Sequence, residues 1–127
     1  MGGDYITLHN LEVYALSRTY SKVAWEMYEL WDWELRKVIG HQMIRSVDSV
    51  GANIAEGYGR FHYADKNKFY YNARGSLIES HHWLELLCER KIMTTNKYTE
   101  LHELYTTILR KLNGLIKAQK NNIHKNF

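Results

Sequence analysis

The side chains with most chemical capacity lie together at Glu79-Ser80-His81-His82. A carboxylate and an imidazole three residues apart share a helix face, and Glu-x-x-His is the unit from which di-iron centres in helical bundles are built. Such a centre needs that unit on two helices and a Glu on each of the other two. The chain has one copy, and Glu26/Glu29 and Glu100/Glu103 fall among solvated positions. With half the ligand set missing, no metal site is assigned, although His81 with Glu85 one turn later can hold a metal weakly at a surface. Cys88, flanked by Leu86 and Leu87, has no partner that would activate its thiolate and reads as a packed thiol. There is no phosphate loop, dinucleotide fingerprint or nucleophile elbow. No catalytic residue and no cofactor are assigned, and the sequence reads as that of a non-enzyme.

Binding chemistry is better represented. Lys66, Tyr70 and Arg74 recur at every fourth position, with Tyr63 and Tyr71 close by. Tyrosines beside cations can stack bases while the cations neutralise phosphates. Tyrosine and arginine are equally the residues enriched at protein–protein interfaces, so an oligomer contact is as good a reading of the same stripe. Arg45 and Arg60 stand at the two ends of the Ser46–Arg60 stretch. After Leu109 come Arg110, Lys111, Lys117, Lys120 and Lys125, with all 14 acidic residues lying earlier. That asymmetry suits a polyanion, and it is also what a helix C-terminus favours.

The chain is organised around Ser46–Arg60. Val47, Val50 and Ile54 make one apolar helix face, and Gly51, Ala52 and Ala55 beside them let another backbone come close. Gly57 and Gly59 are expected to stop the helix through left-handed C-cap geometry. Asn53 and Glu56 form, with Gly57, a polar corner. Glu56 stands in the last turn, against the helix dipole, and needs Arg60, Arg74 or a backbone N–H as partner. The corner is either a cap holding the bend between two helices or part of a subunit contact or ligand site.

Four helices must carry these groups. Met1–Asn10 reads as a loose lead-in. Val13, Leu16, Tyr20, Ala24, Met27 and Trp31 then form the first seam. Asp32–Glu34 is the first turn, with Asp32 capping a helix that runs from about Trp33 to Gly57 on Ile39, Met43, Val47, Val50 and Ile54. Tyr58–Ala64 is a connection and Asp65 the N-cap of helix three, whose seam is Phe69, Ala73, Leu77, Ser80, Leu84 and Leu87 and whose end is near Lys91. Thr94–Asn96 turns into helix four, with Tyr98, Leu101, Tyr105, Ile108, Leu112 and Leu115 inward and fraying expected beyond Gln119. Short connections and sustained seam spacing predict an all-α, antiparallel up-down four-helix bundle, one domain over 1–127 with about 8–119 ordered.

Asn53-Ile54-Ala55-Glu56-Gly57-Tyr58-Gly59-Arg60 resembles the signature of the four-helix-bundle family encoded by intervening sequences in bacterial large-subunit ribosomal RNA genes. Leu11-Glu12-Val13-Tyr14, Gln42-Met43-Ile44-Arg45 and Gly75-Ser76-Leu77-Ile78-Glu79 resemble the family's first, second and third helices, in order. The likeness runs from about Leu8 to Lys117. It departs at Gly51, where the family often has proline, so the second helix is expected to be less kinked. The resemblance implies a homo-oligomer, with five-membered rings as the related assembly. It also implies a kinship with accessory proteins of diversity-generating retroelements, basic pentamers that bind a reverse transcriptase and its RNA.

Composition agrees with a small binding module. The 127 residues include no proline, 8 glycines and one cysteine, with a net charge of +3. Few loops are required, a disulfide within the chain is excluded, and a reducing, cytoplasmic setting is expected. No apolar run is long enough for a membrane span, and no signal peptide is evident. Four tryptophans and ten tyrosines exceed what a thin core absorbs, which argues for self-association. The function expected is an interaction module that assembles with itself and binds nucleic acid, structured RNA first, or a ribonucleoprotein partner. A reverse-transcriptase accessory and a purely structural bundle are the alternatives.

Overall fold

The computed structural model describes residues 7–125. A 3-10 turn, Leu8–Asn10, leads into α1, Glu12–Glu29. α2 is continuous over 33–59, as Trp33–Leu35, a π-helical turn Arg36–Gly40 and His41–Gly59. α3 is Tyr63–Glu89 and α4 is Thr95–Lys125. No strand occurs among the described residues, and the all-α bundle expected from the seams is what the chain forms. Most of the lead-in lies outside the described residues. No helix among those described is long and apolar enough to cross a membrane.

Cross-helix contacts give the helix directions. Ser17 meets Gly51 while Tyr28 meets Gly40. Ser49 meets Ser76 and Gly57 meets Tyr70. Asn67 meets Ile116 and His81 meets His102. Rising numbers on one helix face falling numbers on the next, so neighbours in sequence run antiparallel. α1 also packs on α4, which closes the ring. The seams converge on Tyr20, Ile39, Met43, Val47, Ile54, Tyr70, Leu77, Leu84, Leu87, Leu101, Ile108 and Leu112, all fully buried. Burying each such side chain is worth about 1.5–3 kcal/mol, so this layer carries most of the stability. On α4 the inward residue of the later turns is Ile116 at 3% exposure, with Leu115 only partly covered.

The helix ends depart from the sequence reading at several places, one being the Thr94–Asn96 turn, where Thr95 and Asn96 are already helical. Neither Gly57 nor Gly59 is left-handed; α2 runs through both and ends at an extended Arg60 (φ −80°, ψ 149°). α3 begins at Tyr63, with His62 at its boundary, so Tyr63 and Ala64 are helical. Asp65 sits inside the first turn, where a carboxylate complements the dipole without capping. α4 continues past Gln119 to Lys125, with Gln119 and Ile123 partly buried along the added turns. The left-handed residue is Lys91 (φ 58°), which ends α3. There the Ile92 N–H donates to the Leu87 carbonyl at 2.9 Å and the Lys91 N–H to that of Cys88 at 3.0 Å, the paired bonds of a Schellman close. Asp32 caps as expected, its Oδ1 accepting from the Leu35 N–H at 2.9 Å. Thr94 does the same for α4 through the Lys97 N–H at 3.1 Å.

Candidate nucleic-acid interface

The Lys66–Tyr70–Arg74 stripe does not survive as one face. Eight residues of α-helix return about 80° away from the starting direction, so Lys66 and Tyr70 turn toward α2 while Arg74 turns toward α4. Tyr70 is only 2% exposed and its ring lies against Gly57, which removes it as a platform for bases. Burial, with the Tyr58 phenol nearby, pushes its hydroxyl up to about 12. Lys66 is consumed in capping α2: its Nζ donates to the carbonyls of Tyr58 at 2.8 Å and Gly57 at 3.4 Å. It also lies 5.6 Å from the Tyr58 ring centre. Partial burial lowers its pKa from the ordinary lysine value. Tyr70 thus packs in the core and Lys66, partly buried, caps α2.

The polar corner separates in the same way. Asn53 Nδ2 donates to the Ser49 carbonyl at 2.9 Å and hydroxyl at 3.0 Å. Ser49 Oγ pairs in turn with Ser76 Oγ at 2.9 Å, linking α2 to α3. Glu56 instead finds Arg60 at 3.2 Å on an exposed surface, the first of the partners expected for it. The cap of α2 is Lys66, and Gly57 provides room.

A cationic and aromatic face does form, one helix further round. Tyr71 is the exposed neighbour of buried Tyr70. The Arg74 guanidinium lies 4.8 Å from its ring centre and Lys120 Nζ of α4 lies 5.5 Å from it. Arg74 also donates to Asn113 Oδ1 at 2.9 Å, which fixes the guanidinium across the α3–α4 seam. Arg110, Asn113, Lys117 and Lys120 share one stripe of α4 by their spacing. Arg74, Arg110 and Lys117 of the sequence reading are therefore gathered here. Tyr71 and Lys120 complete the face although they were not among the assigned site residues. The signal for Lys120 is the 3-4 alternation on α4, which places 113, 117 and 120 together; Tyr71 is signalled only by its nearness to the Lys66–Arg74 stripe.

The other assigned cations lie elsewhere. Arg45 shares the α2 stripe of Asp48 and Ala52, on the α1–α2 side. Lys111 pairs with Glu12 at 3.0 Å between α4 and α1. Arg60 stays near the bundle end, stacked over Phe69 at 4.6 Å. Antiparallel packing puts the acid-free tail at the end of the bundle where α2 passes to α3, beside Arg60, Lys66 and Lys68. The opposite end mixes Glu29, Asp32, Glu34, Glu85 and Glu89 with Arg36, Lys37, Arg90, Lys91 and Lys97. Glu79, the carboxylate of Glu-x-x-His, accepts from Trp83 Nε1 at 3.0 Å. No three His, Cys, Asp or Glu side chains among the described residues are grouped to hold a metal ion.

A groove of about 510 Å³ opens between α1 and α2. Its floor is Ser17, Gly51, Ala52 and Ala55, and Trp25 and Arg18 stand at its rim. Close approach of the two helices depends on Gly51, where a β-carbon would stand 3.0 Å from Ser17 Oγ.

These features define a small antiparallel helical bundle with a cationic and aromatic face on its third and fourth helices. The chain belongs to the 23S rRNA-intervening sequence protein family, whose model matches residues 9–114. It is similar to the crystal structure of a protein with unknown function from the S23 ribosomal protein family of Bacteroides thetaiotaomicron VPI-5482. The two are 28% identical with a TM-score of 0.77, over 83% of this chain and 98% of that one. No curated protein matches the chain.

Proposed function

We propose that this protein is a non-enzymatic, homo-oligomeric module that binds structured RNA, or the RNA part of a ribonucleoprotein, through the α3–α4 face. The observation that carries the reading is Tyr71, exposed and flanked by Arg74 at 4.8 Å and Lys120 at 5.5 Å. A tyrosine with two cations beside it can stack a base while the cations meet its phosphates, without selecting a sequence. One subunit presents few such cations, so assembly multiplies the contact and raises apparent affinity by about a hundredfold or more. Self-association is supported by the exposed Trp25, Leu30, Trp33 and Val38, which cluster around the α1–α2 turn. Five subunits is the expected number. The same exposed apolar side chains favour the second reading, a purely structural bundle that joins protein to protein. Light scattering with and without a structured RNA separates them. An oligomer that shifts mass on adding RNA supports the first reading. An oligomer indifferent to RNA supports the second, and a 15 kDa monomer contradicts both.

A further inference from the structure

Away from the cationic face, α3 and α4 are joined by a cluster that the RNA reading does not use. His81 Nε2 and His102 Nδ1 face each other at 3.0 Å. Tyr105 stacks on the His81 ring with centres 4.2 Å apart, and Tyr98 stacks on His102 at 5.6 Å, so both imidazole planes are held from the side. Behind His81, Nδ1 lies 3.3 Å from Glu85 Oε1. The Tyr98 hydroxyl stands 3.3 Å from His81 Nε2. The Glu85 contact places the neutral ring's proton on Nδ1, which leaves Nε2 bare and makes His102 Nδ1 the donor across the gap.

We propose that His81 and His102 form a binding site for a divalent transition-metal ion of the zinc class, coordinated through His81 Nε2 and His102 Nδ1 and clamping α3 to α4. With metal–nitrogen bonds of about 2.0–2.1 Å, two ligands at right-angled to tetrahedral positions stand roughly 2.9–3.4 Å apart, a range that includes the separation observed. A carboxylate on the far nitrogen is the arrangement that orients a ligating histidine and raises its basicity. When the ion enters, His102 shifts its proton from Nδ1 to Nε2 and no proton need leave the pair. Two imidazoles are fewer than the ligands of a closed structural site, so the ion keeps water in its remaining positions, with the Tyr98 hydroxyl placed to contact that water. The site is therefore exchangeable. Imidazole ligands suit zinc, copper and nickel, whereas magnesium and calcium prefer oxygen.

The test is calorimetric titration of the full chain with zinc chloride near neutral pH. The expected result is one saturable site per chain that also raises the melting temperature. Both effects should vanish in His81→Gln and in His102→Gln, and His82→Gln, at the adjacent position, should leave them intact. Glu85→Gln should weaken binding about tenfold or more without removing it. Melting each variant in chelator shows whether it is folded before metal is added. Absence of saturable binding up to millimolar zinc overturns the proposal. So does binding that persists in the His81→Gln/His102→Gln double variant, which would place the ion on other surface histidines. Neither outcome bears on the RNA reading, which uses none of these residues.

Discussion

Tyr70 occupies the space that a side chain at Gly57 would need. A β-carbon there would stand 2.6 Å from ring Cε1, 2.8 Å from Cδ1 and 3.0 Å from the Lys66 carbonyl oxygen. The ring could swing aside only by leaving the core, and the carbonyl belongs to α3 itself. Gly57→Ala should therefore destabilise the protein. Overpacking costs about 1–3 kcal/mol, while alanine's better helix propensity returns at most about 1 kcal/mol. Urea unfolding measures the difference, and Tyr70→Leu in the same background should recover part of it. Wild-type stability for Gly57→Ala would show that the two helices are not held this closely.

The ion pair between Glu56 and Arg60 spans 3.2 Å with both side chains about half exposed. Exposed pairs one turn apart contribute about 0.3–0.5 kcal/mol, so Glu56→Ala should barely move a thermal melt. Had Glu56 been the cap of α2, a loss of about 1–3 kcal/mol would follow. A loss of that size would mean another subunit covers the pair.

Lys91 closes α3 in the left-handed region at φ 58°. Non-glycine residues are disfavoured there by about 1–2 kcal/mol, and glycine recovers this minus its greater freedom when unfolded. Lys91→Gly should raise stability by about 0.5–1 kcal/mol, a gain visible as a higher urea midpoint with an unchanged slope. A lower midpoint would contradict the Schellman geometry.

Tyr20, buried in the core, donates to Ser80 Oγ at 2.7 Å, because Ser80 itself donates to the Leu77 carbonyl at 2.6 Å. Burial pushes the Tyr20 hydroxyl well above the ordinary phenol range, and that of Tyr70 from 10.0 to about 12. The folded chain thus retains protons that the unfolded chain releases. This contribution is complete below the ordinary value of 10.0 and is lost as pH rises through about 12. Unfolding free energy should fall steeply above pH 10. Tyr20→Phe should cost about 1 kcal/mol near neutrality yet flatten the alkaline fall. An unchanged alkaline slope in both Tyr20→Phe and Tyr70→Phe would contradict the burial of these hydroxyls.

The apolar seams were legible because a spacing of three and four is a local property, and Leu77, Leu84, Leu101, Ile108 and Leu112 are buried where that spacing puts them. Asp32 was legible too, since a cap bonds within its own turn. Gly57 was not. In a sequence, glycine near a helix end suggests a left-handed stop, and its actual role depends on Tyr70 of the next helix. Tyr70 is buried and Tyr71 exposed, an order the sequence hides for a related reason. Choosing Tyr70 over Tyr71 requires knowing which side of α3 meets α2, and the fourfold spacing from Lys66 to Arg74 hides the drift between those sides. Lys111 and Lys117 are near in sequence, but one serves the α1–α4 contact and the other lies on the α3–α4 side.

If nucleic acid is held on the α3–α4 face, binding to a structured RNA must depend on salt through the cations of that face, and a salt titration reads this out. Wild type should bind at low salt and weaken linearly in log affinity against log salt, with a slope near 0.9 per phosphate neutralised on a duplex and about 0.7 on single strands. Arg74→Glu and Lys120→Glu should each lower affinity and flatten that slope by about one contact or more. Tyr71→Ala should lower affinity and leave the slope unchanged. Arg45→Glu, on the α1–α2 side, should do neither. Undetectable binding at about 50 mM salt, where such contacts are strong, or an Arg45→Glu loss equal to that of Arg74→Glu, would mean that the α3–α4 face does not hold nucleic acid.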